Sequence, residues 1–111
     1  MPRDYKLYLE DILEAIQKIE IYTQNLEYSE FREDSLRVDA VLHNLMIISE
    51  AVKQIPEDLR GKYSFVEWRK ISGFRDIVAH QYFGVSLEIV WDIVQNKLPG
   101  LRDQASQILE Q

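Results

Sequence analysis

The sequence contains no cysteine, which excludes disulfides, thiolate metal sites and cysteine nucleophiles. With four glycines and three prolines among 111 residues, it is also poor in the residues that interrupt helices. No apolar run approaches the roughly 18 residues of a membrane span. Residues 1–5 carry charges where a signal peptide would have an apolar core. We therefore expect a soluble, cytoplasmic protein that makes no contact with a membrane.

The charge is acidic overall but unevenly distributed. The formal net charge of −6 argues against a protein that coats nucleic acid without specificity. Residues 59–75 nevertheless carry five basic side chains against the single acid Glu67, a local net charge of +4. A solvated helix face is the general explanation of such a stretch. The basic stretch is nevertheless a candidate binding surface, because Lys62, Arg69 and Lys70 directly precede the segment in which the chemically active residues are concentrated.

Helical periodicity dominates the chain. Its length predicts one domain over residues 1–111. Apolar residues spaced by three and four predict helices over residues 4–23, 33–54, 64–83 and from 87 onward, with a short terminal helix over 101–110 after an interruption at Leu98-Pro99-Gly100. The broad apolar surface of the second helix is typical of a central position in a bundle or of contact with another chain. The prediction is an all-α, up-and-down bundle of four main helices plus a short C-terminal helix.

Two helix starts have recognisable side-chain signals. Ser64 followed by Glu67 matches a capping box, so we expect the third helix to begin at Ser64. Ser86 is the predicted N-cap residue of the fourth helix. The third helix is then expected to continue without a break through Arg75 and His80.

The segment from Arg75 to Tyr82 gathers a guanidinium, a carboxylate, an imidazole and a phenol. Asp76 and His80 are four residues apart, so the carboxylate of Asp76 is expected to accept a hydrogen bond from the ring. Arg75 and Tyr82 share one helix face. Arg75 and His80, in contrast, are separated by about 140° around a straight helix.

This angle has a structural consequence. For Arg75 and His80 to act on one substrate, either the helix end must distort or a second copy must face the first, and we favour a homodimer with a two-fold axis past this helix. A histidine serves as general acid or base, and an arginine fits phosphate oxygens, which suggests phosphodiester chemistry. A capped helix end with a structural Asp–His pair explains the same residues. Two distant histidines without cysteine provide no metal-ligand spacing, and we predict no metal site.

The segment and its surroundings resemble the HEPN superfamily, and within it the HepT-like toxins of prokaryotic toxin–antitoxin pairs. The hallmark of that family is R-x4-H-x-Y, and Arg75, His80 and Tyr82 occupy its three positions. The likeness extends to residues 39–51, 68–71, 82–85 and 87–91, and so covers nearly the whole chain.

The resemblance implies a homodimeric helical bundle with a ribonuclease site at the subunit junction that needs neither metal nor cofactor. His80 would promote attack of the RNA 2′-hydroxyl on the adjacent phosphate, and Arg75 would stabilise the transition state. We predict Asp76 and Tyr82 as supporting residues of the site. Lys62, Arg69 and Lys70 become candidate RNA contacts. The implied partner is a minimal nucleotidyltransferase antitoxin, as in type VII-like systems, that adenylylates Tyr82 and so places negative charge where RNA binds.

Two points stay open at the level of sequence. The family most often has asparagine where this chain has Asp76, which affects the expected rate more than the fold. Glu50 is expected either to approach the site or the dimer seam or, as the favoured interpretation, to join a buried polar network. The alternative function is a non-catalytic helical module that binds a nucleotidyltransferase and helps to hold nucleotide or substrate.

Overall fold

The computed structural model describes residues 4–81 and 87–111, and every regular element in these ranges is helical. The helices are α1 (Tyr5–Thr23), α2 (Tyr28–Glu33), α3 (Ser35–Gln54), α4 (Glu57–Lys62), α5 (Trp68–Ser72), α6 (Phe74–Gln81), α7 (Leu87–Asp92) and α8 (Leu98–Leu109), with a π-helical turn at Ile93–Lys97 between the last two. The all-α bundle predicted from periodicity is confirmed. None of the described helices has the length and apolarity needed to cross a bilayer.

The two long helices begin where the sequence predicts, because aspartates cap them. Asp4 accepts a hydrogen bond from the Lys6 amide at 3.0 Å, and Asp34 accepts one from the Arg37 amide at 3.2 Å. After α1 the chain turns through Asn25, which adopts a left-handed φ of 62°. The predicted spans of both helices therefore agree with the structure to within two residues.

Helix α3 is the centre of the bundle. It packs on α1, α2, α5 and α6, while α8 packs on the other flank of α1. Fully buried residues of α3 such as Val41, Leu45, Ile48 and Val52 form the middle of the core. This confirms the central role that its broad apolar surface predicts.

The region predicted as the third helix differs from the prediction at both its start and its middle. Helix α5 begins at Trp68, and its N-cap residue Glu67 makes no capping hydrogen bond, so the capping box with Ser64 is wrong. The indole of Trp68 instead donates to the carbonyl of Tyr63 at 3.0 Å and so caps the end of the preceding helix. The predicted uninterrupted helix is also broken at Gly73, where α6 starts anew.

The predicted interruption at Leu98-Pro99-Gly100 is wrong, because these residues lie within α8 and the irregularity is the π-helical turn that precedes them. Helix α7, the turn and α8 form one continuous run from Leu87 to Leu109. Pro99 lies in the first turn of α8, where a missing amide hydrogen is tolerated. Widening the preceding turn moves the carbonyl groups that the proline ring would otherwise meet. Ser86, the predicted N-cap of α7, lies outside the described residues.

Candidate active site

Helix α6 carries Arg75, Asp76 and His80 of the predicted site. Its core-facing side consists of Phe74 and Val78, both at most 5% exposed. These two residues fix the rotation of the helix against α3. Arg75, Asp76 and His80 consequently lie on its exposed surface.

Arg75 forms an ion pair with Glu50 of α3. The distance from Nη1 of Arg75 to Oε1 of Glu50 is 2.9 Å, and the side chains are 54% and 46% exposed. The interpretation of Glu50 as part of a buried polar network is therefore wrong, because the carboxylate lies at the surface. At this exposure the pair stabilises the fold by at most about 1 kcal/mol. Its larger effect is to fix the guanidinium on the α3 side of α6.

His80 is oriented by the backbone. Its Nδ1 lies 2.6 Å from the carbonyl oxygen of Asp76, one turn earlier in α6. A carbonyl oxygen only accepts, so the ring must carry its proton on Nδ1, which leaves Nε2 of the neutral ring as a proton acceptor. The predicted bond to the Asp76 carboxylate is replaced by this main-chain contact, which is the shorter route between positions i and i+4 of a helix. An exposed imidazole with one defined basic nitrogen has the form of a general base.

Arg75 and His80 share a helix but not a face. Five positions along α6 correspond to a rotation of about 140° and a rise of about 7.5 Å. Arg75 lies on the flank that faces α3. On a straight helix, the side chain of His80 therefore starts about 140° away from this flank.

The remaining predicted site residues are distributed around the bundle. Tyr82 lies outside the described residues. The ammonium of Lys62 lies 5.3 Å from the ring centroid of Tyr63, at the end of α4. Arg69 and Lys70 are both exposed on α5. Lys62 thus lies on α4 and the other two basic residues on α5.

Lys70 forms an ion pair with Glu67, the N-cap residue of α5. Its Nζ lies 2.7 Å from Oε2 of Glu67. This hydrogen bond and the charge of Lys70 lower the pKa of the Glu67 carboxyl, with a smaller contribution from Lys97. The same contact raises the pKa of Lys70. Lys97, on the π-helical turn, is thus close enough for its charge to act on Glu67.

The sequence alone does not identify Glu50 as the partner of Arg75, because the two residues are 25 positions apart and only the packing of α3 on α6 joins them.

A groove of about 280 Å³ along α1 and α3 continues from Glu50 past Met46, Ile47 and His43. In the described ranges, no three His, Asp or Glu side chains cluster in a way that would hold a metal ion.

These features define a helical-bundle protein with an exposed guanidinium and an exposed imidazole on one helix. Residues 12–108 match the family model described as "Ribonuclease HepT-like". The chain belongs to this family, which confirms the resemblance noted from the R-x4-H-x-Y motif.

Relatives from archaea show similarity along the whole chain. A "Putative RNase" of Methanocaldococcus jannaschii is 40% identical over 111 residues, which cover 99% of this chain and 92% of the relative. A "Probable ribonuclease HepT" of Thermococcus cleftensis is 37% identical over 108 residues, covering 97% and 98% respectively.

A third relative is longer. The "Gamma-glutamylcyclotransferase and putative RNase" of Methanocaldococcus jannaschii is 37% identical over 111 residues, and this chain spans 50% of its length. No solved structure matches the chain significantly.

Proposed function

We propose that this protein is an RNA endonuclease that cleaves without a metal ion through Arg75 and His80. Membership of the HepT-like ribonuclease family supports the reaction class. The observation that carries the assignment of residues is the 2.6 Å contact between Nδ1 of His80 and the Asp76 carbonyl, because it defines Nε2 as the basic nitrogen of an exposed ring.

The proposed reaction is an internal transesterification. Nε2 of His80 takes the proton of the RNA 2′-hydroxyl, and the freed oxygen forms a bond to the adjacent phosphorus. The bond from phosphorus to the 5′-oxygen then breaks, and that oxygen leaves with a proton from the medium or from the imidazolium. The products are a 2′,3′-cyclic phosphate and a 5′-hydroxyl. Arg75 stabilises the additional negative charge on the phosphoryl oxygens in the transition state.

The angle between the two residues supports a site shared by two chains. A two-fold axis beside α6 would bring Arg75 of one copy towards His80 of the other. Glu50 would then act on the reaction indirectly, because it holds the guanidinium by a single Nη1 contact and leaves the other N–H groups of the fork available to phosphate.

We further propose that the protein is the toxin of a type VII-like pair and that a minimal nucleotidyltransferase neutralises it by adenylylating Tyr82. The supporting argument is positional, since Tyr82 follows His80 by two residues in the sequence. A nucleotide phosphate there would repel the RNA backbone and occupy its space. Incubation with the partner enzyme and ATP should add the mass of one adenylyl group, and Tyr82→Phe should prevent the addition.

The ribonuclease assignment is tested with Arg75→Ala and His80→Ala, assayed on a fluorogenic RNA. We expect His80→Ala to lower kcat by about 10²- to 10⁴-fold and Arg75→Ala by about 10²- to 10³-fold. Arg102→Ala is the matched control, because Arg102 also forms an exposed interhelical ion pair, with Glu20 at 2.6 Å. The control should cleave like the wild type.

The outcome separates two classes of function. Cleavage that depends on Arg75 and His80, with cyclic phosphate ends detected by mass spectrometry, would support the proposal. Negligible cleavage by the wild type and by both variants would refute it and favour the non-catalytic module that binds a nucleotidyltransferase.

A further inference from the structure

A cavity of about 490 Å³ lies on the side of α6 opposite the Arg75–Glu50 pair. It is bounded by α5 and α6 on one side and by the π-helical turn and α8 on the other. Its apolar lining includes Ile71, Phe74, Ile93 and Leu101, which are 4–6% exposed. The volume falls in the range of roughly 300–1,000 Å³ that is typical of ligand pockets.

The cavity is adjacent to the flank of α6 that carries His80. Ile77 lines it, and His80 follows Ile77 by three positions, which places the two side chains about 60° and one helical turn apart. Arg75, in contrast, is about 160° away from Ile77 around the helix. A ligand in the cavity would therefore extend towards the proposed general base.

The rim of the cavity is polar and carries a net positive charge. Lys70 and Lys97 line it together with the single acid Glu67, in a chain whose overall net charge is −6. Both ammonium groups act on Glu67, and Lys70 contacts it directly. A negatively charged group approaching this rim therefore meets the ammonium of Lys97 beside the Glu67–Lys70 ion pair.

The π-helical turn builds one wall of the cavity. Ile93, Asn96 and Lys97 of this turn all contribute to the lining. The amide of Asn96 donates to Asp92 Oδ1 at 2.6 Å, which fixes the side chain beside the cavity. Turns of this kind occur often at functional sites.

An apolar slot with polar groups and an excess of positive charge at its rim matches one ligand chemistry in particular. A nucleobase has apolar faces and a polar edge, and its attached phosphate carries one negative charge. We propose that this cavity binds one nucleotide of an RNA strand, with the base between Phe74 and the isoleucines and the adjoining phosphate near Lys70 and Lys97. The proposal rests on the proposed ribonuclease function and assigns a substrate subsite to it.

Direct binding tests the subsite without relying on cleavage. The His80→Ala chain, labelled at isoleucine methyl groups, is titrated with a short single-stranded RNA and, separately, with AMP. We expect RNA to shift the signals of Ile77 and Ile93. Gly100→Met in the same background should weaken RNA binding about tenfold, the effect of losing one stacked base.

The chosen substitution adds a side chain at the edge of the cavity, at a position with room for it. Gly100 lines the cavity, and a Cβ atom there would meet no other atom within 4 Å. Methionine also has a higher helix propensity than glycine. Gln107→Met is the matched control, because Gln107 is exposed seven residues later on the same face of α8 and does not line the cavity. It should leave RNA affinity unchanged.

The possible failures are distinguishable. If the wild type cleaves RNA but RNA leaves the methyl signals unmoved, or Gly100→Met binds RNA normally, the subsite is refuted and the ribonuclease proposal stands. If RNA binds in the cavity but the wild type does not cleave it, the ribonuclease proposal fails and the binding site stands. Shifts caused by AMP alone would identify a site for free nucleotides and overturn the assignment to RNA.

Discussion

Two inactive variants should restore activity when they assemble together. We consider a dimer of one Arg75→Ala chain and one His80→Ala chain, purified through two different affinity tags. If Arg75 of one copy meets His80 of the other, one of the two sites in this dimer contains both wild-type groups. The second site lacks both.

The expected magnitude follows from the geometry of α6. Five positions rotate the chain by about 140°, so a shared site draws its two groups from different chains. The mixed dimer should then have about half the kcat of the wild type per dimer, since one of two sites is intact. If each site were built from a single chain, neither site would be intact and activity would stay at the level of the separate variants.

The assay is cleavage of a fluorogenic RNA by the doubly tagged dimer. Its control pairs Arg75→Ala with the double variant Arg75→Ala/His80→Ala, which contains no intact site in either arrangement. Recovery in the test dimer and none in the control is the expected result. A test dimer as inactive as the control would refute the shared-site geometry, and a protein that stays monomeric in light scattering would do the same.

Further predictions concern charge, packing and titration. Glu50→Gln should lower KM for RNA by up to about fivefold at low salt, because the charge of Arg75 is then uncompensated. High salt should remove the difference. An unchanged KM at low salt would contradict this prediction. Ile48→Ala should reduce the free energy of unfolding in urea by about 2–5 kcal/mol, because Ile48 is fully buried. Leu36 is 83% exposed on the same helix, and Leu36→Ala should change the free energy of unfolding by less than about 0.5 kcal/mol. Equal losses would argue against the described core. By NMR, the Glu67 carboxyl should titrate below 4.5, and Lys70→Gln should move its midpoint back towards that value. Because the folded-state pKa is lowered, any stabilisation by Glu67 is present above its usual pKa and is lost as the pH falls through the folded-state value.

The parts of the fold that the sequence predicts best are those with long, regular apolar stripes. Helices α1 and α3 extend over five turns each, and an aspartate marks the start of both. The break at Gly73 is not predictable in the same way, because apolar spacing continues across it and the turn depends on tertiary packing. The capping box fails for a similar reason, because it also depends on a tertiary contact. The indole of Trp68 donates to the carbonyls of Arg60 and Tyr63, and α5 begins only at Trp68.

In the candidate site, too, local features are predictable and tertiary contacts are not. The angle between Arg75 and His80 around the helix axis follows from their positions in one helix, so it is predictable from the sequence. The Glu50 contact depends on a neighbouring helix and appears only in three dimensions. The large cavity beside α6 depends on how the π-helical turn is placed, and no sequence motif marks it.

The hydrogen bond that orients His80 uses an atom that every amino acid possesses. Since the acceptor is the main-chain oxygen at position 76, exchanging Asp76 for asparagine, alanine or serine leaves the acceptor in place. Evolution can therefore change the charge next to the base without disturbing which ring nitrogen is free. This tolerance gives a physical reason why an aspartate at position 76 is compatible with a histidine oriented in this way.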